Sequence, residues 1–306
     1  VETKIFPENV LETSVSYELA TNVLNNDGEN YAEYGIHDAD YDVDAIFYDG
    51  YKDTKVFAYI GIPKGATPEN PVPAMVLVHG GIGKAEQSWV KKWNDLGYAA
   101  IAMDLYGCGP EDDPNSYSGS GMKKHPYAGV APWDFSADFE NAGMYQTVIN
   151  VINGHTLLRS DSRVDTSRIG ITGISWGGIT TTTVCGVDNR FMFAVPVYGC
   201  GYLDQCKTYF GSKFDSTSQS IAWDPANFAA KAQMPVMLVN SDADQHFSIN
   251  SSSLTYGVLK DGYLSIHHGL SHSQGAGDSI QQVYDFADNM FKGNNPYIRI
   301  SNATAE

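Results

Sequence analysis

Ser175 stands in Gly173-Ile174-Ser175-Trp176-Gly177-Gly178, between the apolar run RIGIT and the Thr-rich run ITTTTV. A serine bracketed by glycines at a strand-to-helix junction reads as a nucleophile elbow. The glycines leave room for a strained turn that lifts the hydroxyl clear of the sheet edge and onto a helix N-terminus. Three fixed positions alone equally describe an ordinary turn, so the reading depends on the other parts it requires. A serine hydroxyl is a weak nucleophile until a base removes its proton, and the usual base is a histidine held in one tautomer by a carboxylate. Each should follow a strand end, in the order serine, acid, histidine.

Both partners occur in that order. The strand-like PVMLVNS is followed by Asp242-Ala243-Asp244-Gln245-His246, and YLSIHH is followed by Gly269-Leu270-Ser271-His272. Asp244 is preferred as the acid, because a couple of turn residues normally separate the strand end from the carboxylate. Asp242 suits an Asx cap on turn amides. His267 and His268 fall inside the strand pattern and point to opposite faces by period-two alternation, which leaves His272, beyond the strand, as the expected base. His246 adjoins the acid and reads as a wall or surface residue.

The last part is an oxyanion hole, a pair of backbone N–H groups aimed at the carbonyl oxygen as it becomes negative. His79-Gly80-Gly81-Ile82-Gly83 follows the strand-like AMVLV. Gly81, with Gly80 and Ile82 as near rivals, is expected to supply one amide and Trp176 the other. His79 is expected to brace the loop. The aromatics Trp133, Trp176, Tyr202, Trp223 and Phe247 form a pool of possible substrate-binding walls, set against core packing, the commoner fate of any one aromatic.

The elements that must position these residues alternate along the chain. Strand-like YDVDAIF, KVFAYIGI and AMVLVHG precede the helix-like AEQSWVKKWNDLG. Strand YAAIAMDLYG, helix FENAGMYQTVINVING and strand RIGITGI follow. After the GISWGG turn come helix ITTTTVCGV, strand FMFAVPVYG, an irregular stretch from Gly201 to Ala230, strand PVMLVNS, helix SINSSSLTYGVLK, strand YLSIHH and the closing helix DSIQQVYDFADNMF. Unbroken apolar strands separated by helices predict an α/β fold: a mostly parallel central sheet with helices on both faces and ligands at the carboxyl ends of the strands. The expected organisation is a single catalytic domain over residues 45–306, with residues 1–44 as an N-terminal extension packed on it. The Cys108–Asp138 and Gly201–Ala230 segments are long enough to serve as lid-like loops.

Of the 306 residues, 42% are hydrophobic and 18% charged, an ordinary globular composition. The net charge of −17, from 19 basic and 36 acidic residues, repels a polyphosphate backbone and argues against nucleic acid as a partner. The longest apolar runs are strand-sized, well short of the roughly 20 residues of a spanning helix, so no membrane role is expected. The chain begins at Val1 without a basic-then-apolar leader, as in a mature secreted or periplasmic form whose signal has been removed; a cytoplasmic protein would also fit. Cys108, Cys185, Cys200 and Cys206 have no zinc-like spacing, so no metal is expected. Cys200 and Cys206 could close a small loop in an exported protein. The N-x-[ST] triplets at Asn250 and Asn302 are weak acceptor motifs.

VLVHGGIG, WVKKWNDLGYAAIAMDLYGCGP, GISWGG, RFMFAVPVYGCG, DADQHF and LSHSQGAG together resemble the acetylxylan esterase and dienelactone-hydrolase-like branch of the α/β-hydrolases, from Pro71 to Lys292. The resemblance implies a cofactor-free serine carboxylesterase acting on short acyl esters, often acetyl groups on plant polysaccharide such as xylan, with Ser175, Asp244 and His272 at the triad positions. Dienelactone hydrolase proper has a cysteine where this chain has Ser175, so ester hydrolysis is expected over lactone chemistry. The alternatives are a serine peptidase of the same fold and a non-catalytic carbohydrate-binding protein.

Overall fold

The computed structural model describes residues 6–20, 37–38, 41–52, 54–81, 83–106, 139–206, 211–214 and 218–294. Ile82, Cys108, Trp133, Asn302, all of the Cys108–Asp138 loop and most of the first 44 residues lie outside them. The strands are β1 (Tyr17–Leu19), β2 (His37–Asp38), β3 (Tyr41–Asp49), β4 (Lys55–Pro63), β5 (Val72–Val78), β6 (Ala99–Met103), β7 (Val164–Ile174), β8 (Phe193–Val197), β9 (Val236–Ser241) and β10 (Gly262–His267). They form one sheet in the order β1-β3-β4-β6-β5-β7-β8-β9-β10, with β2 on β3. From β6 to β10 the neighbours are parallel, and β1 to β4 join antiparallel.

The helices are α1 (Gln87–Asp95), α2 (Gly143–Ser160), α3 (Trp176–Cys185), α4 (Gly211–Phe214), α5 (Ser218–Ala222), α6 (Ala226–Ala229), α7 (Ile249–Val258), α8 (Gln274–Gly277) and α9 (Gln281–Phe291). From β5 the chain crosses through α1 to β6 on one side, then through α2 to β7 on the other. Right-handed crossovers in opposite directions put α1 and α2 on opposite faces. α9 joins α1, where Trp93 and Tyr284 pack at 4.6 Å and Lys92 pairs with Asp278 at 2.8 Å, and α3 packs beside α2. Covered on both sides, β6, β8 and β9 are buried at every residue, which is why β6 and β8 are continuous apolar runs and β9 is one as far as Val239.

Threonine is an indifferent helix former, yet α3 is buried throughout. The hydroxyls of Thr180, Thr182 and Thr183 donate to the carbonyls of Trp176, Gly178 and Ile179, one turn back. The stretch expected to be irregular after Gly201 instead holds a 3-10 turn at Leu203–Gln205 and the short helices α4, α5 and α6. Buried Asp224 organises it by accepting the amides of Tyr202, Leu203 and Ala226. β10 ends at His267, so His268 lies outside the strand rather than within it.

The parallel strands end level. Val78 pairs with Met103 and Gly173, Ile174 with Val197, Val197 with Val239, and Ser241 with His267. The loops after β5, β7, β9 and β10 therefore meet along one edge. Strand order reverses between β5 and β7, the switch point where ligands bind in open α/β sheets. Among the described residues, no helix is long and apolar enough to cross a membrane.

Candidate active site

Ser175 follows β7 directly, and its backbone has φ 59° and ψ −117°, a strained region that costs a non-glycine residue on the order of 1–3 kcal/mol. Two bonds impose it: the Ser175 N–H donates to Val197 O at 2.8 Å, and the Ile179 N–H donates to Ser175 O at 3.0 Å. The flanking glycines serve close approach. A methyl on Gly177 would overlap the Val78 carbonyl, and one on Gly178 would stand 2.6 Å from Val197 O and 2.8 Å from Gly199 Cα. Gly177→Ala is therefore expected to cost about 3 kcal/mol, because backbone cannot yield as a side chain can. Differential scanning calorimetry should show a midpoint lowered by about 5 °C or more. Gly257→Ala in α7, where nothing lies within 4 Å, should leave the midpoint unchanged or raise it; equal midpoints for the two variants would contradict this.

The expected partners converge on the serine. The Ser175 hydroxyl donates to His272 Nε2 at 2.8 Å, and His272 Nδ1–H donates to Asp244 Oδ2 at 2.7 Å. The other carboxylate oxygen, Oδ1, accepts the His246 and Phe247 amides at 2.7 and 2.8 Å. The Asp244 side chain is 0% exposed and that of His272 17%. Burial alone would raise the Asp244 pKa. The His272 and backbone hydrogen bonds outweigh it and hold the carboxyl below its ordinary value. Asp242 and His268 form a separate pair at 2.6 Å, with the His268 side chain 97% exposed. Asp242 also accepts the Gly269 amide.

Three rings surround His272: Tyr198 at 4.8 Å, His246 at 4.7 Å and Phe247 at 5.8 Å. Tyr198 has a left-handed backbone, φ 54°, and its hydroxyl donates to Ser271 O at 2.9 Å, holding the loop that carries His272. Sequence reasoning passed over this role, since the two residues are 73 positions apart and no local pattern joins them. Tyr198→Phe keeps the ring and loses the tether. It is expected to lower kcat about 3- to 10-fold, the worth of one hydrogen bond of about 1 kcal/mol, with KM unchanged. Steady-state kinetics with wild-type kcat would sink this role.

His79 braces the loop after β5. Its Nδ1–H donates to Gly80 O at 2.7 Å, and its Nε2 accepts the Leu105 N–H at 2.9 Å. Only an unprotonated Nε2 can accept the Leu105 N–H, so this bond needs the neutral ring, and burial pushes its pKa down to about 4 against the pull of the Gly80 bond. Asp104 Oδ1, 3.9 Å from Nε2, therefore faces an unprotonated nitrogen, and its contact with His79 carries no ion-pair attraction. Below about pH 6.5 the unfolded chain binds a proton that folded His79 refuses. Stability should thus fall from about pH 6.5 to about pH 4, by up to roughly 3 kcal/mol, and stay flat above that window. Urea melts of His79→Gln, which cannot titrate, should show a correspondingly shallower loss between pH 7 and 4. An identical slope would contradict it.

Of the possible oxyanion donors, Gly80 N–H already donates to Gln274 Oε1 at 3.2 Å, leaving Gly81 as the described candidate. Trp176 opens α3, so its N–H has no acceptor within the helix. The aromatic pool divides. The Trp176 and Phe247 side chains are 1% and 0% exposed. Trp223, also 0% exposed, sits among Phe6, Tyr145 and Phe228, a core position instead of a pocket wall, because large rings gain most where fully buried. Tyr202 is half-buried, its amide on Asp224 and its carbonyl accepting from Ser251. Cys185, Cys200 and Cys206 are free and buried, and Cys206 Sγ lies 3.2 Å from Ser251 Oγ. Among the described residues, no group of three or more His, Cys, Asp or Glu side chains could hold a metal ion.

The family model for acetyl xylan esterase (AXE1) matches residues 21–207, and that for the prolyl oligopeptidase family matches residues 133–294. A curated relative, "Uncharacterized peptidase YuxL" of Bacillus subtilis (strain 168), is 26% identical over 117 residues, which are 34% of this chain and 18% of that protein; the match thus spans a minor part of the relative's length. Among solved structures, an acetyl xylan esterase from Paenibacillus sp. R4 superposes with a TM-score of 0.68 at 17% identity, covering 94% of this chain and 91% of that one. Acetyl xylan esterase 1 from Thermoanaerobacterium sp. JW/SL YS485 gives 0.67 at 16% identity, with 94% of each chain covered. Matched over more than half its length by the first model, the chain belongs to the acetyl xylan esterase (AXE1) family, on an α/β-hydrolase scaffold whose second half also fits the prolyl oligopeptidase family.

Proposed function

We propose that the protein is a serine carboxylesterase that hydrolyses short-chain acyl esters, acetyl above all, and deacetylates xylan or a related plant polysaccharide or oligosaccharide. The observation that carries the reading is the unbroken line from Ser175 through His272 to Asp244, at 2.8 and 2.7 Å. In the first step His272 Nε2 takes the Ser175 proton as Oγ attacks the ester carbonyl. Asp244 holds Nδ1–H and stabilises the imidazolium that forms. The Gly81 and Trp176 amides receive the oxyanion. Collapse expels the alcohol, which takes the proton from His272 and leaves an acyl-serine. Water, deprotonated by the same histidine, then attacks the acyl carbonyl, and the departing Ser175 Oγ takes that proton back from His272 as the acid is released. This chain's own residues suffice for each step.

The substrate class rests on the family match. A polysaccharide substrate would place the enzyme outside the cytoplasm. A second reading, a serine peptidase, is favoured by the prolyl oligopeptidase match and the curated peptidase relative. Chromogenic acetate, butyrate and octanoate esters, acetylated xylan and an N-acyl-aminoacyl anilide separate the two. The esterase reading expects acetate to be cleaved fastest and acetate to be released from xylan. Faster cleavage of the anilide would replace it with the peptidase.

A further inference from the structure

Gln274 opens α8 two residues after His272, and its side chain reaches back across the site to the loop after β5. Its Oε1 accepts the Gly80 N–H at 3.2 Å. Of the two amide atoms only the oxygen can accept from an N–H, so the orientation is fixed: Oε1 faces Gly80, and Nε2 carries its two donors elsewhere. Nε2 is buried and has no hydrogen-bond partner among the described residues. A buried donor left without an acceptor costs about 1–3 kcal/mol, and such atoms in folded proteins call for an explanation, a functional role among them. The amide is close to the nucleophile. A Cβ built on Gly80 would stand 3.5 Å from Ser175 Cβ and 3.8 Å from Gln274 Oε1, so one glycine separates the two side chains.

We propose that Gln274 Nε2 is a hydrogen-bond donor to an oxygen of the bound ester. The side chain then has two functions. Oε1 occupies the Gly80 amide and anchors the loop that carries Gly81, while Nε2 presents a desolvated donor beside Ser175 that acquires its acceptor only when substrate binds. Such a donor is pre-oriented, because the Gly80 bond holds the amide plane. The proposal rests on the esterase reading above.

Two substitutions separate the functions. Gln274→Glu keeps an acceptor for the Gly80 N–H and removes the donor, whereas Gln274→Met removes both at similar length. Each is measured with an aryl acetate beside wild type and Ser175→Ala, across pH 6 to 9, so that a carboxylate near His272 shows itself as a shifted profile and not as a lowered plateau. Both variants are expected to lose about 10²-fold in plateau kcat/KM, with the Glu variant no better than the Met variant and thermal midpoints near wild type. A trifluoromethyl ketone, which adds reversibly to the serine, should bind both more weakly by a similar factor. Wild-type kcat/KM in either variant overturns the proposal, since the donor would then be dispensable. If wild type hydrolyses no ester, or Ser175→Ala matches it, the esterase reading itself has failed and this proposal falls with it.

Discussion

Asp244→Asn is expected to lower kcat about 10⁴-fold, equivalent to about 5.5 kcal/mol of transition-state stabilisation, while leaving the fold intact. The size follows from which atom of the new amide faces which partner. In the native carboxylate, Oδ1 accepts the His246 and Phe247 amides and Oδ2 accepts His272 Nδ1–H. An asparagine can satisfy two backbone N–H donors only with its oxygen, so its NH₂ must face His272. The imidazole then has to present an unprotonated Nδ1 and carry its proton on Nε2, the atom that must accept from Ser175. The base is thereby held in the wrong tautomer, and substrate binding is little changed. Rapid-mixing kinetics on an aryl acetate should show the acylation phase slowed by this factor with KM near wild type; a loss below tenfold would mean that Asp244 does not orient the base. Asp242→Asn should leave kcat within about twofold, because its partners are exposed His268 and the Gly269 amide.

Ser175→Ala should be more severe, about 10⁵-fold or more in kcat, with a residual rate supplied by binding and the oxyanion donors alone. The variant should fold. The serine backbone is held by bonds from its own N–H and carbonyl to Val197 and Ile179, which alanine makes equally well, and alanine has no greater difficulty with φ 59° than serine has. Its hydroxyl bonds only His272 among the described contacts, and His272 keeps Asp244 and its three neighbouring rings. Thermal midpoints of wild type and variant should therefore agree within a few degrees. Hydrolysis unchanged in the variant would remove Ser175 from the chemistry altogether.

Much of this site is legible in the sequence, because its parts follow strand ends and strand ends are marked by local composition. β5, β6 and β8 are apolar runs stopped by His79, Asp104 and Tyr198, the apolar run of β9 gives way to Asn240 and Ser241, and a two-residue turn after β9 singles out Asp244 over Asp242. What stayed hidden is non-local or short. Tyr198 meets Ser271 across 73 positions and Gln274 meets Gly80 across 194, distances over which no spacing rule operates. α4, α5 and α6 have four or five residues each, too few for a 3.6-residue period to declare itself. The aromatic pool shows a different limit. Residue type gives a tryptophan its affinity for burial, but not whether the apolar surroundings are a pocket or the core. Trp223 lies in the core, with Phe6 and Tyr145 brought to it from distant parts of the chain.

Ser175, in this mechanism, is the nucleophile that carries the acyl group. That role is tested most directly by treating the protein with a fluorophosphonate and reading the intact mass and the modified peptide, alongside aryl acetate hydrolysis of the same sample. One adduct per chain is expected on Ser175, with acetate hydrolysis lost in proportion to labelling and no adduct on Ser175→Ala. A protein that hydrolyses acetate while its adduct lies elsewhere, or that keeps full activity when Ser175 is labelled, would contradict it.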